Sequence, residues 1–263
     1  MGGAFSFRRN GGMADMGFWA SFLVNLLSDL AFLGILVLVS CLLWRKNVAK
    51  ASRFFGIGPQ KRIEMHLSVL KCEGLRTGKA IAVEEYEAAN EFREVLGRPL
   101  SGFFVFLARA LNIDPGELKI VVQSSPPVDE VGEVSLRSGS HILIGGPECN
   151  SLTAHYLGEG RAWIKFDTDQ DEFLICLDRS AVARRVPRFH GALLEKLVVN
   201  GKTVIIAFGD GEVETHEAVR YLAYRWKELL SAAENKDGEF ALLWSVKTGQ
   251  VEERFGLVDD NKA

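Results

Sequence analysis

The sequence predicts an α/β protein: a single N-terminal transmembrane helix followed by a domain built on a mostly parallel sheet. Three observations carry this prediction. Residues 18–44 are almost entirely apolar and stop at Arg45 and Lys46. At about 1.5 Å rise per residue they make a helix of roughly 40 Å, longer than the ~30 Å hydrocarbon core of a bilayer. No later stretch is comparable. Beyond it, short runs rich in β-branched residues (LKIVVQ, HILIG, TVIIAF) alternate with segments of helical periodicity (83–96, 212–233), the pattern of buried strands joined by crossover helices.

The span carries polar residues. Asn25 and Asp29 are four residues apart and share one helical face, with Ser21 and Ser28 close by. A carboxylate at the bilayer centre costs about 2.5–3.5 kcal/mol on insertion scales. That face is therefore expected to meet another protein surface, and the chain to form a homo-oligomer in the lipid bilayer. The tail, residues 1–17, holds Arg8 and Arg9 against Asp15. The other flank holds Arg45, Lys46, Lys50, Arg53, Lys61 and Arg62. The positive-inside rule then places the C-terminal domain in the cytoplasm, at the plasma (inner) membrane. Three processing patterns compete with an uncleaved anchor. They are a cleaved signal peptide, a lipoprotein-like box ending at Cys41, and a Met1-Gly2…Ser6 myristoylation pattern. The uncleaved anchor is favoured, because bulky Leu42, Leu43 and Trp44 follow Cys41.

Residues 45–60 read as a juxtamembrane linker. The helix is expected to continue as an interfacial collar bearing Phe54 and Phe55, and to end at a hinge of Gly56, Gly58 and Pro59. Residues 61–258 form the cytosolic α/β domain. The chain has 263 residues, a net charge of −3 and 25% charged residues, without the basic excess of a general binder of DNA or RNA. Cys41, Cys72, Cys149 and Cys176 show no zinc spacing. The three outside the anchor cannot all pair within one chain, so reduced thiols are expected.

The elements follow in order. Residues 62–70 alternate apolar and polar as a half-buried strand. Residues 83–96 form a helix with its acids in the first turn, where they suit the helix dipole. Residues 102–111 form a second, apolar helix, and 118–123 a strand. A polar connection leads to the strand 141–145 and a short helix from Cys149 to Leu157. Residues 162–166 and 172–177 are the strands of a hairpin around Asp167–Asp171. Residues 179–189 read as basic and irregular. Residues 193–199 are ambiguous between strand and helix. A buried strand (203–208), a long helix (212–233) and a closing strand (239–247) complete the domain.

Two strand-to-helix turns carry the chemistry. One is Gly145-Gly146-Pro147-Glu148-Cys149-Asn150-Ser151-Leu152-Thr153; the other is Gly209-Asp210-Gly211-Glu212-Val213-Glu214-Thr215. Ligands of open α/β sheets sit beyond the carboxyl ends of strands, where glycines admit close approach and helix N-termini favour negative charge. The candidate ligand contacts are Gly145, Gly146, Asn150, Thr153, Gly209, Asp210, Gly211 and Thr215. Asn150, Ser151, Thr153 and Thr215 suit helix capping equally well. Asp210 and Glu212 oppose a bare phosphate and fit a ribose hydroxyl or a base amine better. Arg179, Arg184, Arg185 and Arg188 are candidates for phosphate contacts, with a solvated surface as the simpler reading. No Walker loop, GxGxxG or GxSxG is present, and none of His66, His141, His155, His190 and His216 has metal-ligand spacing with another. No catalytic residue, cofactor or metal is therefore assigned.

The strand with Gly145-Gly146-Pro147-x-x-Asn150-x-x-Thr153, together with the later strand, glycines, Thr215 and long helix, resembles the Rossmann-like sensor domains of bacterial nucleotide-signalling and antiphage systems. Those domains stand behind transmembrane helices or other effector modules. The resemblance implies a domain that binds a nucleotide-like signal through Gly145, Gly146, Asn150, Thr153 and Thr215, and a membrane segment that responds. The expected function is a single-pass effector whose domain senses that ligand and controls oligomerisation of the membrane helix, with membrane disruption as one output. Two alternatives remain open at this level. One is a membrane-tethered nucleotide- or nucleoside-processing enzyme using Asp210, Glu212 and His216; the other is a ligand-free membrane scaffold.

Overall fold

A computed structural model describes residues 12–57, 62–71, 79–97, 106, 109–110, 118–126, 139–158, 162–167, 169–176, 179, 181–187, 190–233 and 238–257. The chain divides into two compact units, Met1–Lys46 with Leu100–Gly116, and Asn47–Pro99 with Glu117–Ala263. Cys72, Arg188, Gly58 and Pro59, and most of the apolar segment 102–111, lie outside the described residues; Phe106, Arg109 and Ala110 of that segment are helical.

In the first unit the dominant element is helix α1 (Gly12–Phe55), whose last turns belong to the second unit. It is long and apolar enough to cross a membrane. Phe18, Trp19, Phe22, Leu26, Leu30 and Phe32 are exposed, as are Asn25 and Asp29.

The second unit is an α/β domain. Its strands are β1 (Arg62–Leu67), the short pair β2 (Leu70–Lys71) and β3 (Lys79–Ala80), β4 (Lys119–Ser124), β5 (Ser140–Ile144), β6 (Ile164–Asp167), β7 (Glu172–Cys176), β8 (Val182–Pro187), β9 (Gly191–Val199), β10 (Lys202–Gly209), β11 (Phe240–Ser245) and β12 (Val251–Phe255). Its helices are α2 (Val83–Gly97), α3 (Ser151–Gly158) and α4 (Glu212–Ala232). The main sheet has seven strands in the order β12-β11-β9-β10-β5-β1-β4. The β4, β1, β5 and β10 neighbours are parallel, whereas β9 and β12 run against the rest. The mostly parallel α/β expectation therefore holds. Strand β1 lies between β4 and β5, so the chain leaves the β1 position in both directions and the order reverses there.

Both faces of the sheet are covered, which explains its continuous apolar strands. On one face, Leu143, Leu193, Leu197, Ile206, Phe208 and Leu243 pack with Leu152 and Tyr156 of α3 and with Phe173 and Ile175 of the small β6-β7-β8 sheet. The other face carries α2 and α4, whose buried residues include Ala88, Phe92, Val219, Leu222 and Trp226.

Sequence readings change at four places, the first being that the strand read at 239–247 does not close the domain: β12 follows it and pairs antiparallel with β11 at the sheet edge. Residues 182–187, read as irregular, form β8 against β7. The ambiguous segment at 193–199 is strand, because β9 is hydrogen-bonded on both sides and nearly wholly buried. Phe54 and Phe55, read as an interfacial collar, lie in the core of the second unit, 1% and 0% exposed. Phe55 meets Phe92 edge-on at 5.7 Å, and Phe54 stacks on Phe240 at 6.1 Å with Trp226 at 6.0 Å. Burying each ring is worth about 1.5–3 kcal/mol. Helix α1 ends directly after them. Gly56 adopts φ +64°, and the Ile57 N–H bonds the Ser52 carbonyl at 2.8 Å. This is a Schellman ending, in which only glycine avoids steric strain.

Candidate functional site

The turn after β5 lies where the order of the parallel strands reverses, the usual ligand position of open α/β sheets. Here the turn binds itself. Asn150 is fully buried. Its Oδ1 accepts from the N–H groups of Leu152 (3.1 Å) and Thr153 (3.2 Å), capping α3, and from the Ser125 hydroxyl at 2.8 Å. Its Nδ2 donates to the carbonyls of Ile144 (2.9 Å) and His66 (3.0 Å), the ends of β5 and β1. Thr153 Oγ1 donates to the Gly145 carbonyl at 3.0 Å. The Val69 N–H closes the seam on the Cys149 carbonyl at 3.0 Å. The polar atoms of Asn150 and the Thr153 hydroxyl thus hold strand ends together.

Gly145 sits at φ +100°, and a Cβ there would lie 1.8 Å from Ser68 Oγ and 2.5 Å from Glu85 Oε1. Its glycine is required by the chain's own packing. At Gly146 a Cβ would make only ordinary contact with Phe208, at 3.6 Å. Glu85 accepts the Ser68 N–H at 2.8 Å, and burial raises its carboxyl above the usual range despite that bond.

The second turn behaves similarly. The Gly209 N–H donates to Thr215 Oγ1 at 3.1 Å. Asp210 is tied to the start of β9: its Oδ2 accepts the Gly191 N–H, and its own N–H donates to the Gly191 carbonyl, each at 3.0 Å. A Cβ on Gly209 would lie 2.2 Å from that of Glu214. Gly211 caps α4 in an extended conformation with no side-chain hydrogen bond. Glu84 at the start of α2 faces Glu212 at the start of α4, and its like charge raises the Glu212 carboxyl. With Glu84, Glu85 and Glu212 around them, the strand ends are acidic.

His216 bonds Glu91 of α2 at 3.1 Å, and Tyr224 bonds the same carboxylate at 2.9 Å. The His216 hydrogen bond is the main reason the Glu91 carboxyl is lowered. His216 therefore joins α4 to α2, while Asp210 holds β9. The arginines are paired with acids: Arg179 with Glu239 at 2.9 Å, Arg184 with Glu253, and Arg185 with Asp167 and Glu172, each at 3.2 Å. Arg179 also lies 3.6 Å over the Trp163 ring.

One cluster was invisible to spacing. Strand β1 places Glu64 and His66 two residues apart, hence on one face. In register, Glu64 is opposite His141 of β5 and His66 is opposite Gln123 of β4. His66 Nε2 is 3.1 Å from His141 Nδ1. Glu64 Oε2 is 3.6 Å from His141 Nδ1 and 3.9 Å from His66 Nε2. Glu64 Oε1 pairs with Arg62 at 2.8 Å, and the Gln123 amide nitrogen lies 3.4 Å from Glu64 Oε2. All three side chains are buried, and burial together with the neighbouring His141 drives the His66 imidazole down to about 3. Two neutral-capable imidazoles and a carboxylate form a donor set that suits a divalent transition metal. The separation of the two histidines by 75 positions conceals the set. Its trace in sequence is a charged or polar residue at alternate positions of strands that are otherwise apolar.

Comparison with protein-family models, with curated proteins and with solved structures returns no match to this chain.

Proposed function

We propose that this is a single-pass membrane protein whose cytoplasmic α/β domain senses a small nucleotide-like ligand and sets the self-association of its membrane helix. One observation carries the reading: α1 is a single helix that supplies both the apolar span and, in its last turns, Phe54 and Phe55 of the domain core. A change in packing around Phe92, Trp226 and Phe240 reaches that helix directly. The Rossmann-like resemblance is supported by the strand order β4-β1-β5-β10, with α2 following β1 and α3 following β5. The ligand face runs across Gly145, Gly146, Gly209 and Gly211. Because Glu84, Glu85 and Glu212 line it, the ligand is held through ribose hydroxyls and base amines rather than through phosphate. Binding is favoured over turnover because Asp210 and His216 are each engaged in joining elements.

The test uses the full-length protein in nanodiscs, screened with nucleosides and mono-, di- and cyclic nucleotides by thermal shift and by cross-linking of the span. A true ligand at 100 times its Kd adds about 2.7 kcal/mol of stability and changes the cross-linked species. A panel with no effect on either measurement, or a chain found freely soluble on cell fractionation, overturns the reading.

A further inference from the structure

We propose that Glu64, His66 and His141 form a binding site for one zinc-class divalent metal ion, joining β1 to β5 where the sheet order reverses. The three donor atoms are 3.1, 3.6 and 3.9 Å apart. A point equidistant from atoms so spaced lies about 2.1 Å from each, matching the ~2.0–2.2 Å of Zn–N and Zn–O bonds. Lifting the ion out of that plane toward a fourth ligand, in tetrahedral geometry, needs a few tenths of an ångström of inward movement by Glu64 and a turn of the two imidazoles, whose nitrogens face each other at 3.1 Å with ring centroids 5.3 Å apart. The donors come from adjacent positions on two hydrogen-bonded strands, so their placement is fixed by backbone register and not by a loop.

Charge and surroundings agree with the assignment. Arg62 takes Glu64 Oε1, which leaves Oε2 turned toward the imidazoles. The Gln123 amide nitrogen lies 3.4 Å from Glu64 Oε2 and donates to it, which helps to hold the carboxylate in place as an outer-shell partner does. Two nitrogens and one oxygen suit Zn2+, Co2+ or Ni2+ over Mg2+ or Ca2+, which prefer all-oxygen sets. Apolar residues of similar volume would fill the same space without the desolvation cost of three ionisable groups. A bound cation offsets that cost.

The experiment is metal analysis and titration of the purified full-length chain after chelator treatment, with Zn2+ and Co2+ as the probes. The expected result is one equivalent of Zn2+ per chain, a higher melting temperature with Zn2+ than with chelator, and visible d–d bands of tetrahedral Co2+ without thiolate charge transfer. Glu64→Gln and His66→Ala should each weaken binding by at least the ~10–100-fold that loss of an outer-shell partner costs. Less than a tenth of an equivalent bound by folded wild-type protein overturns the proposal. So does a thiolate band in the Co2+ spectrum, which would place the metal on cysteine, or undiminished binding by a folded variant. Should both variants fail to fold, the wild-type stoichiometry and spectrum decide alone.

Discussion

The side-chain amide of Asn150 donates to the backbone carbonyl of His66 at 3.0 Å, so the residue that caps α3 also holds the end of β1. Asn150→Ala removes a cap worth about 1 kcal/mol and orphans buried partners at about 1–3 kcal/mol each. The expected loss is about 3–5 kcal/mol, read as a lower denaturant midpoint with unchanged m-value. Asn150→Asp keeps the cap acceptor but sets a carboxylate against the Ile144 and His66 carbonyls. It should destabilise as much as alanine, and if it matches wild type the two donated bonds contribute nothing.

Gly145 makes a second prediction, on the opposite side of the same seam. Gly145→Ala forces a side chain to φ +100° and into Ser68 Oγ. Strained backbone and overpacking each cost about 1–3 kcal/mol. Removing the Ser68 side chain relieves part of the overlap, so Gly145→Ala with Ser68→Gly should be less destabilised than the sum of the singles, by at least about 0.5 kcal/mol. Strict additivity in a double-mutant cycle would show that the two do not meet.

Periodicity carried most of the architecture and little of the site. Strands such as TVIIAF and helices such as 83–97 were legible because burial on two faces, or on one stripe, writes itself into local composition. Strand β8 was not, since its residues are mostly exposed and its Arg184 and Arg185 are balanced by acids on other strands. Phe54 and Phe55 were legible as an amphipathic helix end, but what covered them was not: Trp226 and Phe240 lie far away in sequence. The glycine turns were found correctly as strand-to-helix turns. Composition alone could not show that Asn150, Thr153 and Thr215 direct their polar atoms into the chain's own backbone. The pairing of His66 with His141 needs the strand order, which no local pattern encodes.

Glu195 gives a pH dependence. It is fully buried on β9, its Oε1 accepts the Trp163 N–H at 2.7 Å, and its Oε2 has no hydrogen-bond partner among the described residues. Burial pushes its carboxyl up to about 8; the Trp163 N–H and the charge of Arg179 oppose the rise, and Glu239 adds to it. Between an unfolded value near 4.5 and a folded value near 8, the folded chain keeps a proton that the unfolded chain has released. Stability should therefore fall as pH rises through this window, with a limiting slope of about 1.4 kcal/mol per pH unit, and level off above it. Glu195→Gln should abolish this component and melt higher than wild type at pH 8. Denaturant melts from pH 5 to 9 measure it, and parallel pH profiles for the two proteins would mean that Glu195 is charged in the fold.

Asn25 and Asp29 supply the last prediction, which separates self-association in the bilayer from simple anchoring. Both are exposed on one face of α1, within a segment whose other exposed side chains are largely apolar. Lipid offers neither a partner, whereas a second copy of the same face offers amide and carboxyl groups to bond. Interhelical polar contacts in membranes average about 0.6 kcal/mol and reach about 2, enough to bias the proposed assembly but not to create one alone. Replacing both residues by Leu should therefore leave membrane insertion intact or improved, and lower the cross-linked oligomer fraction in nanodiscs several-fold, since about 1.4 kcal/mol is a tenfold change in an association constant. Leakage of a dye from liposomes holding the same protein should fall in parallel if the oligomer opens the bilayer. It should stay at background in both proteins if the polar face serves only as a dimer contact. An oligomer fraction unchanged by the double substitution would show that this face meets no protein surface, and would leave self-association to the α/β domain.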